Sequence, residues 1–299
     1  MSTLDRIVFV YADDFGLADG VSRAIVALIE AGRLSGTGCM SVFPDWAPRA
    51  RWLDGLEDRA DIGLHLTLTD HPPLTGVSAL APRGCLPPLK RLLRLSLAGR
   101  LDQAALRAEI RAQVDAFVQA RGQWPAFVDG HHHAHVLPGV REAVLAELAA
   151  PLAAGTLAVR DCWEPPARVV ARGVAVPRAL VLSALAWGMH RRLGALGVRR
   201  NEGFSGVHAF APGAPYRPLF QRFLRVGGPR ALIGCHPGWV DDTLSARDRV
   251  VDSRPGEYTY LASPAFLEDL ADINARLGRL SRDPSFEAKR VDPPPPLWT

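Results

Sequence analysis

The chain is poor in cysteine: Cys39, Cys85, Cys162 and Cys235 are scattered over 299 residues and form no C-x-x-C pair. That argues against a disulfide framework or a thiolate zinc site and fits a reducing compartment. Long apolar runs are also missing. The longest later stretch, Ala179–Met189, is eleven residues, against about 20 for a membrane helix. The amino-terminal run Ile7–Ala12 is six residues and leads straight into two aspartates, unlike a signal peptide. These features predict a cytoplasmic protein with no membrane span. No block of one charge sign exists. The formal charge is only +4, and arginines such as Arg107, Arg111 and Arg121 are spread through helical sequence as a solvated face would be. Nucleic acid is therefore not an expected partner. The chain carries no G-x-S-x-G elbow, P-loop or G-x-G-x-x-G, which argues against serine hydrolases, P-loop nucleotidases and Rossmann dehydrogenases.

What is present is an alternation of strand-like and helix-like segments. Arg6–Ala12 is a continuous β-branched and aromatic run, as in a strand buried on both faces. Further strands are expected at Gly38–Phe43, Asp61–Thr67, Phe127–Asp129, Leu157–Arg160 and Ala231–Cys235. Helices are expected at Val21–Glu30, Gln103–Arg121, Pro138–Ala149, Pro177–Leu193, Tyr216–Val226 and Pro264–Leu280. The clearest is Gln103–Arg121, with Leu106, Ile110, Val114 and Phe117 on one face. Segments His71–Pro88 and Val240–Glu257 look like long loops of the kind that form lids or substrate walls. The pattern predicts an α/β fold with a parallel sheet, in one domain over residues 1–285, followed by a disordered Pro-rich tail at 286–299.

Four chemically loaded segments sit at strand ends, where α/β folds build their active sites. They are Asp13-Asp14, His65 within Gly63-Leu64-His65-Leu66, the cluster His131-His132-His133-Ala134-His135 after Asp129-Gly130, and His236 within Cys235-His236-Pro237-Gly238. Adjacent carboxylates after a buried strand are costly unless paired or bound to a cation. Four of the chain's nine histidines fall within five residues, which packing alone seldom produces. Asp with two His is a common ligand set for zinc and similar divalent ions, leaving positions for water and substrate. Were the backbone helical after His131, His131 and His135 would lie on one face and both could ligate. His236, at a strand end before a rigid Pro-Gly turn, is well placed for proton transfer.

Taken together and in order, Ala-Asp-Asp-Phe-Gly-Leu, Gly-Leu-His-Leu, Asp-Gly-His-His-His-Ala-His and Cys-His-Pro-Gly resemble the YdjC-like carbohydrate deacetylases. The resemblance spans residues 6 to 280. It implies a distorted (β/α) TIM-like barrel that removes the N-acetyl group from an amino sugar or N-acetylglucosamine oligosaccharide, with one divalent metal ion (Mg2+ or Zn2+) per chain. It also implies metal ligation by Asp14, His65 and His131, with Asp13 as base and His236 at the position of the acid. His132, His133 and His135 would then line the substrate pocket, and a homodimer is implied too. Phe15, Trp163, Phe204 and Trp239 are the candidates for stacking on a sugar ring. Asp-Gly-His stands where many members have Asp-Ser-His, and Arg168–Arg200 carries no motif of that family. Alternatives are another metal-dependent amidohydrolase, a phosphoesterase, or a non-catalytic glycan- or metal-binding module.

Overall fold

The computed structural model describes residues 6–284. The tail expected at 286–299 lies outside the described residues. Eight strands form one parallel sheet: β1 (Arg6–Phe15), β2 (Gly36–Cys39), β3 (Asp61–Leu66), β4 (Phe127–Gly130), β5 (Ala158–Val159), β6 (Phe204–Ser205), β7 (Arg230–Cys235) and β8 (Ala275–Leu277). Their order is β5-β4-β3-β2-β1-β7-β6, with β8 beside the start of β1. β1 lies centrally because nothing in it tolerates water: from Val8 to Ala12 every residue is fully buried.

The sheet curls. A parallel bridge between Val159 and Arg200 ties the β5 edge to the segment entering β6, and Asn201 reinforces it by hydrogen bonds with the Asp161 backbone N–H and carbonyl at 2.9 and 2.8 Å. The result is the expected distorted barrel, with helices outside. The helix Gln103–Arg121 is found at its expected bounds. Asp102 caps it by accepting from Ala105 N at 2.9 Å, and Gly122 ends it in a left-handed conformation. Its buried Gln113 grips the end of β3, accepting from Thr67 N at 2.8 Å and donating to Thr67 O at 2.6 Å.

Three expected elements are corrected and one unexpected helix is added. The strand at Gly38–Phe43 stops at Cys39, because its ladder with β1 ends where Phe15 pairs Cys39 across a register shift. The helix from Pro264 stops at Ala271; Asn274 takes φ +48° and the chain re-enters the sheet as β8 on Arg6–Val8. Val240–Glu257 is no loop but carries the helix Asp242–Arg247, capped by Asp241, and the first residues of the helix Arg254–Ala262. A helix at Leu89–Leu97 follows the proline-rich segment.

Candidate metal centre and its surroundings

The carboxyl ends of β1, β3, β4 and β7 meet at one cavity of about 580 Å3, lined among others by Asp13, Asp14, His65, His131, His132, His133 and His236. Neighbouring strand residues ordinarily point to opposite faces. Here Asp14 takes φ +71° at the register shift between Ala12 and Phe15, so both aspartates reach the same cavity. Such a bulge re-aims side chains, and left-handed backbone at a non-glycine residue is a cost met where a site needs it. His132 and His133 also adopt positive φ, 53° and 56°. The run after Gly130 is consequently kinked rather than a regular helix.

Asp14 Oδ1 lies 3.1 Å from His131 Nδ1 and 3.4 Å from His65 Nε2. Ligand atoms of these three buried residues fall within 4.8 Å of one another. The other Asp14 oxygen, Oδ2, accepts from Arg254 Nη2 at 2.6 Å, and that nitrogen also reaches Asp248 Oδ2 at 2.6 Å. One oxygen and two imidazole nitrogens, close together on largely buried side chains at the cavity floor, form a donor set suited to a divalent cation. Asp129 Oδ1 lies 2.7 Å from His65 Nδ1, so His65 can present Nε2 as the ligand. Residues and geometry therefore fit one bound metal ion. His135 stands apart: Nε2 lies 3.0 Å from Arg160 O.

Asp13 is held differently. Arg160 Nη1 and Nη2 donate to its two oxygens at 2.8 and 2.6 Å. The same Nη2 lies 2.6 Å from Asp129 Oδ2. Both aspartates and Arg160 are almost wholly buried. Burial alone would raise the Asp13 carboxyl, but the Arg160 guanidinium wins and keeps it below the usual carboxylate range. Asp14 is likewise held well below that range: burial opposes, and Arg254 and hydrogen bonds from His131 and His65 prevail. Burial also disfavours charge on His65, yet Asp129 and Asp13 push its imidazole up to about 10.

His236 Nε2 lies 3.8 Å from Asp13 Oδ2. Its backbone N–H donates to Glu257 Oε2 at 2.7 Å, and Glu257 Oε1 lies 3.0 Å from His208 Nε2. Burial lowers the His236 imidazole below its ordinary value, with Asp14 and Asp13 opposing. Burial likewise lowers His132 to about 3 and His135 to about 4. His132 Nδ1 lies 2.9 Å from Thr69 Oγ1.

The stacking candidates divide. Phe204 lines the cavity. Phe15 does not: it is fully buried edge-on to Trp46, a core residue. Trp163 packs on Trp187 and His190, Trp239 on Tyr258, and neither tryptophan lines the cavity, nor does His135. Sequence reasoning passed over Arg160, Arg254, Asp248 and Glu257. Arg160 alone had a usable signal, a charged residue ending an expected strand.

No helix among the described residues is long and apolar enough to cross a membrane. A family model described as YdjC-like protein matches residues 7–272. Proteins named chitooligosaccharide deacetylase from Yersinia pestis (strain Pestoides F) and Yersinia pseudotuberculosis serotype O:1b (strain IP 31758) are each 27% identical over 281 residues. The matches cover 92% of this chain and 98% of each relative. A crystal structure from Enterococcus faecalis V583, of a protein described in terms of cellobiose-phosphate cleavage, superposes with a TM-score of 0.70 at 20% identity. It covers 92% of this chain and 98% of that one, a likeness of fold.

Proposed function

Because the chain belongs to the YdjC-like family, we propose that it is a metal-dependent carbohydrate deacetylase hydrolysing the N-acetyl group of an amino sugar. The observation that carries this reading is the convergence of Asp14 Oδ1, His65 Nε2 and His131 Nδ1 beside an Asp13 locked by Arg160 and facing His236. Asp14, His65 and His131 would hold one Mg2+ or Zn2+ ion, which when bound acidifies a water and polarises the acyl carbonyl.

The chain's own residues then supply orientation and proton transfer. Asp13, kept ionised and fixed by Arg160, is positioned as the base for the attacking water. Its 3.8 Å separation from His236 Nε2 suggests the onward path. The proton passes from Asp13 to the His236 ring and then to the departing amine nitrogen, which leaves poorly unless protonated. Glu257, through the His236 backbone and His208, steadies the His236 turn. His132, His133 and Phe204 line the same cavity and would face the bound substrate. A buried base and a facing imidazole favour this reading over a purely metal-binding module, which needs neither.

The test is acetate release from N-acetylglucosamine and its oligomers, in chelated protein with and without added Mg2+ or Zn2+. Release only on metal addition supports the proposal. No release from any amide, with metal bound, would turn the assignment toward a phosphoester. Action in the cytoplasm and assembly as a homodimer belong to the same proposal.

A further inference from the structure

Two phenylalanine rings reach the cavity, Phe204 and Phe210, and they are held in opposite ways. Phe204 is 4% exposed, with the Arg160 guanidinium carbon 5.7 Å from its ring centroid and the His133 ring in a T-shaped contact at 5.2 Å. Phe210 is half-buried and takes no part in the hydrophobic core of the described residues. Its backbone has φ +54°. Of the seven non-glycine residues with positive φ among those described, five are Asp, His or Asn, which tolerate that conformation. A bulky aromatic does not, and keeps it only where its surroundings impose it. The core gains nothing from this ring, so the strain serves the cavity.

Three contacts impose the turn. Phe210 N–H donates to His208 Nδ1 at 3.2 Å, which leaves the proton of the His208 ring on Nε2, 3.0 Å from Glu257 Oε1. The other Glu257 oxygen accepts from His236 N–H at 2.7 Å. The His208 ring also lies against Phe210, with centroids 4.1 Å apart. One buried carboxylate thus fixes both Phe210 and His236, whose rings meet at 5.0 Å and 89°.

In an N-acetyl amino sugar the departing nitrogen is bonded to a carbon of the sugar ring itself. The pyranose therefore lies directly beside whichever group protonates that nitrogen. Resting on the deacetylase reading, in which that group is His236, we propose that Phe210 is the platform for the sugar ring that carries the scissile amide. The C–H face of the pyranose packs on the open side of the Phe210 ring, with its nitrogen turned toward His236. Because the turn is already held through His208 and Glu257, the contact costs little ordering on binding.

Binding to the full chain is measured first, by titration calorimetry with di-N-acetylchitobiose. Chelated protein suffices, since Phe210 is no metal ligand. Phe210→Ala and Phe210→Gly are each expected to weaken binding about tenfold, and Phe210→Tyr, which keeps the ring, to stay within about twofold. Phe210→Gly should hold or raise the Tm, because glycine takes positive φ freely. With metal restored, the Ala and Gly variants should raise KM about tenfold and leave kcat within about threefold. Unchanged binding in both variants, or no binding by the unaltered chain, overturns the proposal. So does a loss in Phe210→Gly alone, which assigns the effect to the backbone. A fall in Tm that accompanies the weaker binding makes Phe210 structural, and a fall in kcat at constant KM places its action on His236; each overturns it too. All of these leave deacetylation intact. Phe210-dependent binding with no amide cleaved on metal addition removes deacetylation and leaves the sugar platform standing.

Discussion

Arg160 grips Asp13 through both terminal guanidinium nitrogens, at 2.8 and 2.6 Å, from a position with no exposure to solvent. The pair fixes the direction in which the Asp13 carboxylate can accept a proton. It also joins Asp13 to Asp129, which lies against His65. One arginine thus spans the proposed base and the support of a proposed metal ligand.

Arg160→Met is expected to leave Asp13 and Asp129 buried without their cation. Breaking such a pair from one side costs about 3–5 kcal/mol. Urea denaturation should show a loss in this range, and residual folded protein should turn over at least a hundredfold more slowly. Arg160→Lys should recover stability better than rate, because an ammonium does not reproduce the two-pronged contact.

Asp129→Asn tests the support of His65. The His65 Nδ1 contact at 2.7 Å loses its charge, and metal affinity should fall by about 10- to 100-fold, read by competition with a chromogenic chelator. Unchanged affinity would show that the Asp129 charge does not support His65 as a ligand.

Gly206 offers a prediction on stability. It adopts φ +116°, and a Cβ there would lie 2.1 Å from the Gly234 carbonyl oxygen. Gly206→Ala combines backbone strain with a collision against backbone at the cavity wall. It should cost about 2 kcal/mol or more, seen as a lower Tm. Gly32→Ala, at φ +67° with nothing within 4 Å, should cost less.

Glu257→Ala removes the acceptor shared by the His236 backbone and His208. It is expected to lower kcat by about tenfold or more with little change in metal content, because it loosens the proposed proton donor rather than the ligands. Equal loss of metal and rate would mean that Glu257 acts on the whole site.

The parts of this site legible in sequence were those concentrated in short motifs at strand ends: Asp13-Asp14, His65, the histidine cluster and His236. Parallel α/β topology gathers such ends on one rim. What stayed hidden depends on distant partners. Arg160 and Arg254 are single residues among 35 basic ones, and only the fold shows that their partners are Asp13 and Asp14, 147 and 240 positions away. The left-handed turn at Asp14 has no glycine to announce it. Phe15, beside two carboxylates, was a candidate for stacking on a sugar ring, yet its ring lies in the core against Trp46. The helix Leu89–Leu97 was obscured by the prolines before it.

The central claim is that Asp13 serves as base while Asp14, His65 and His131 hold the ion. It is tested most directly by Asp13→Asn, with metal content by mass spectrometry and acetate release measured on one preparation. The account predicts about one metal per chain, as in the unaltered protein, and turnover reduced by at least a thousandfold. Retained turnover, or loss of the metal with the rate, would contradict it.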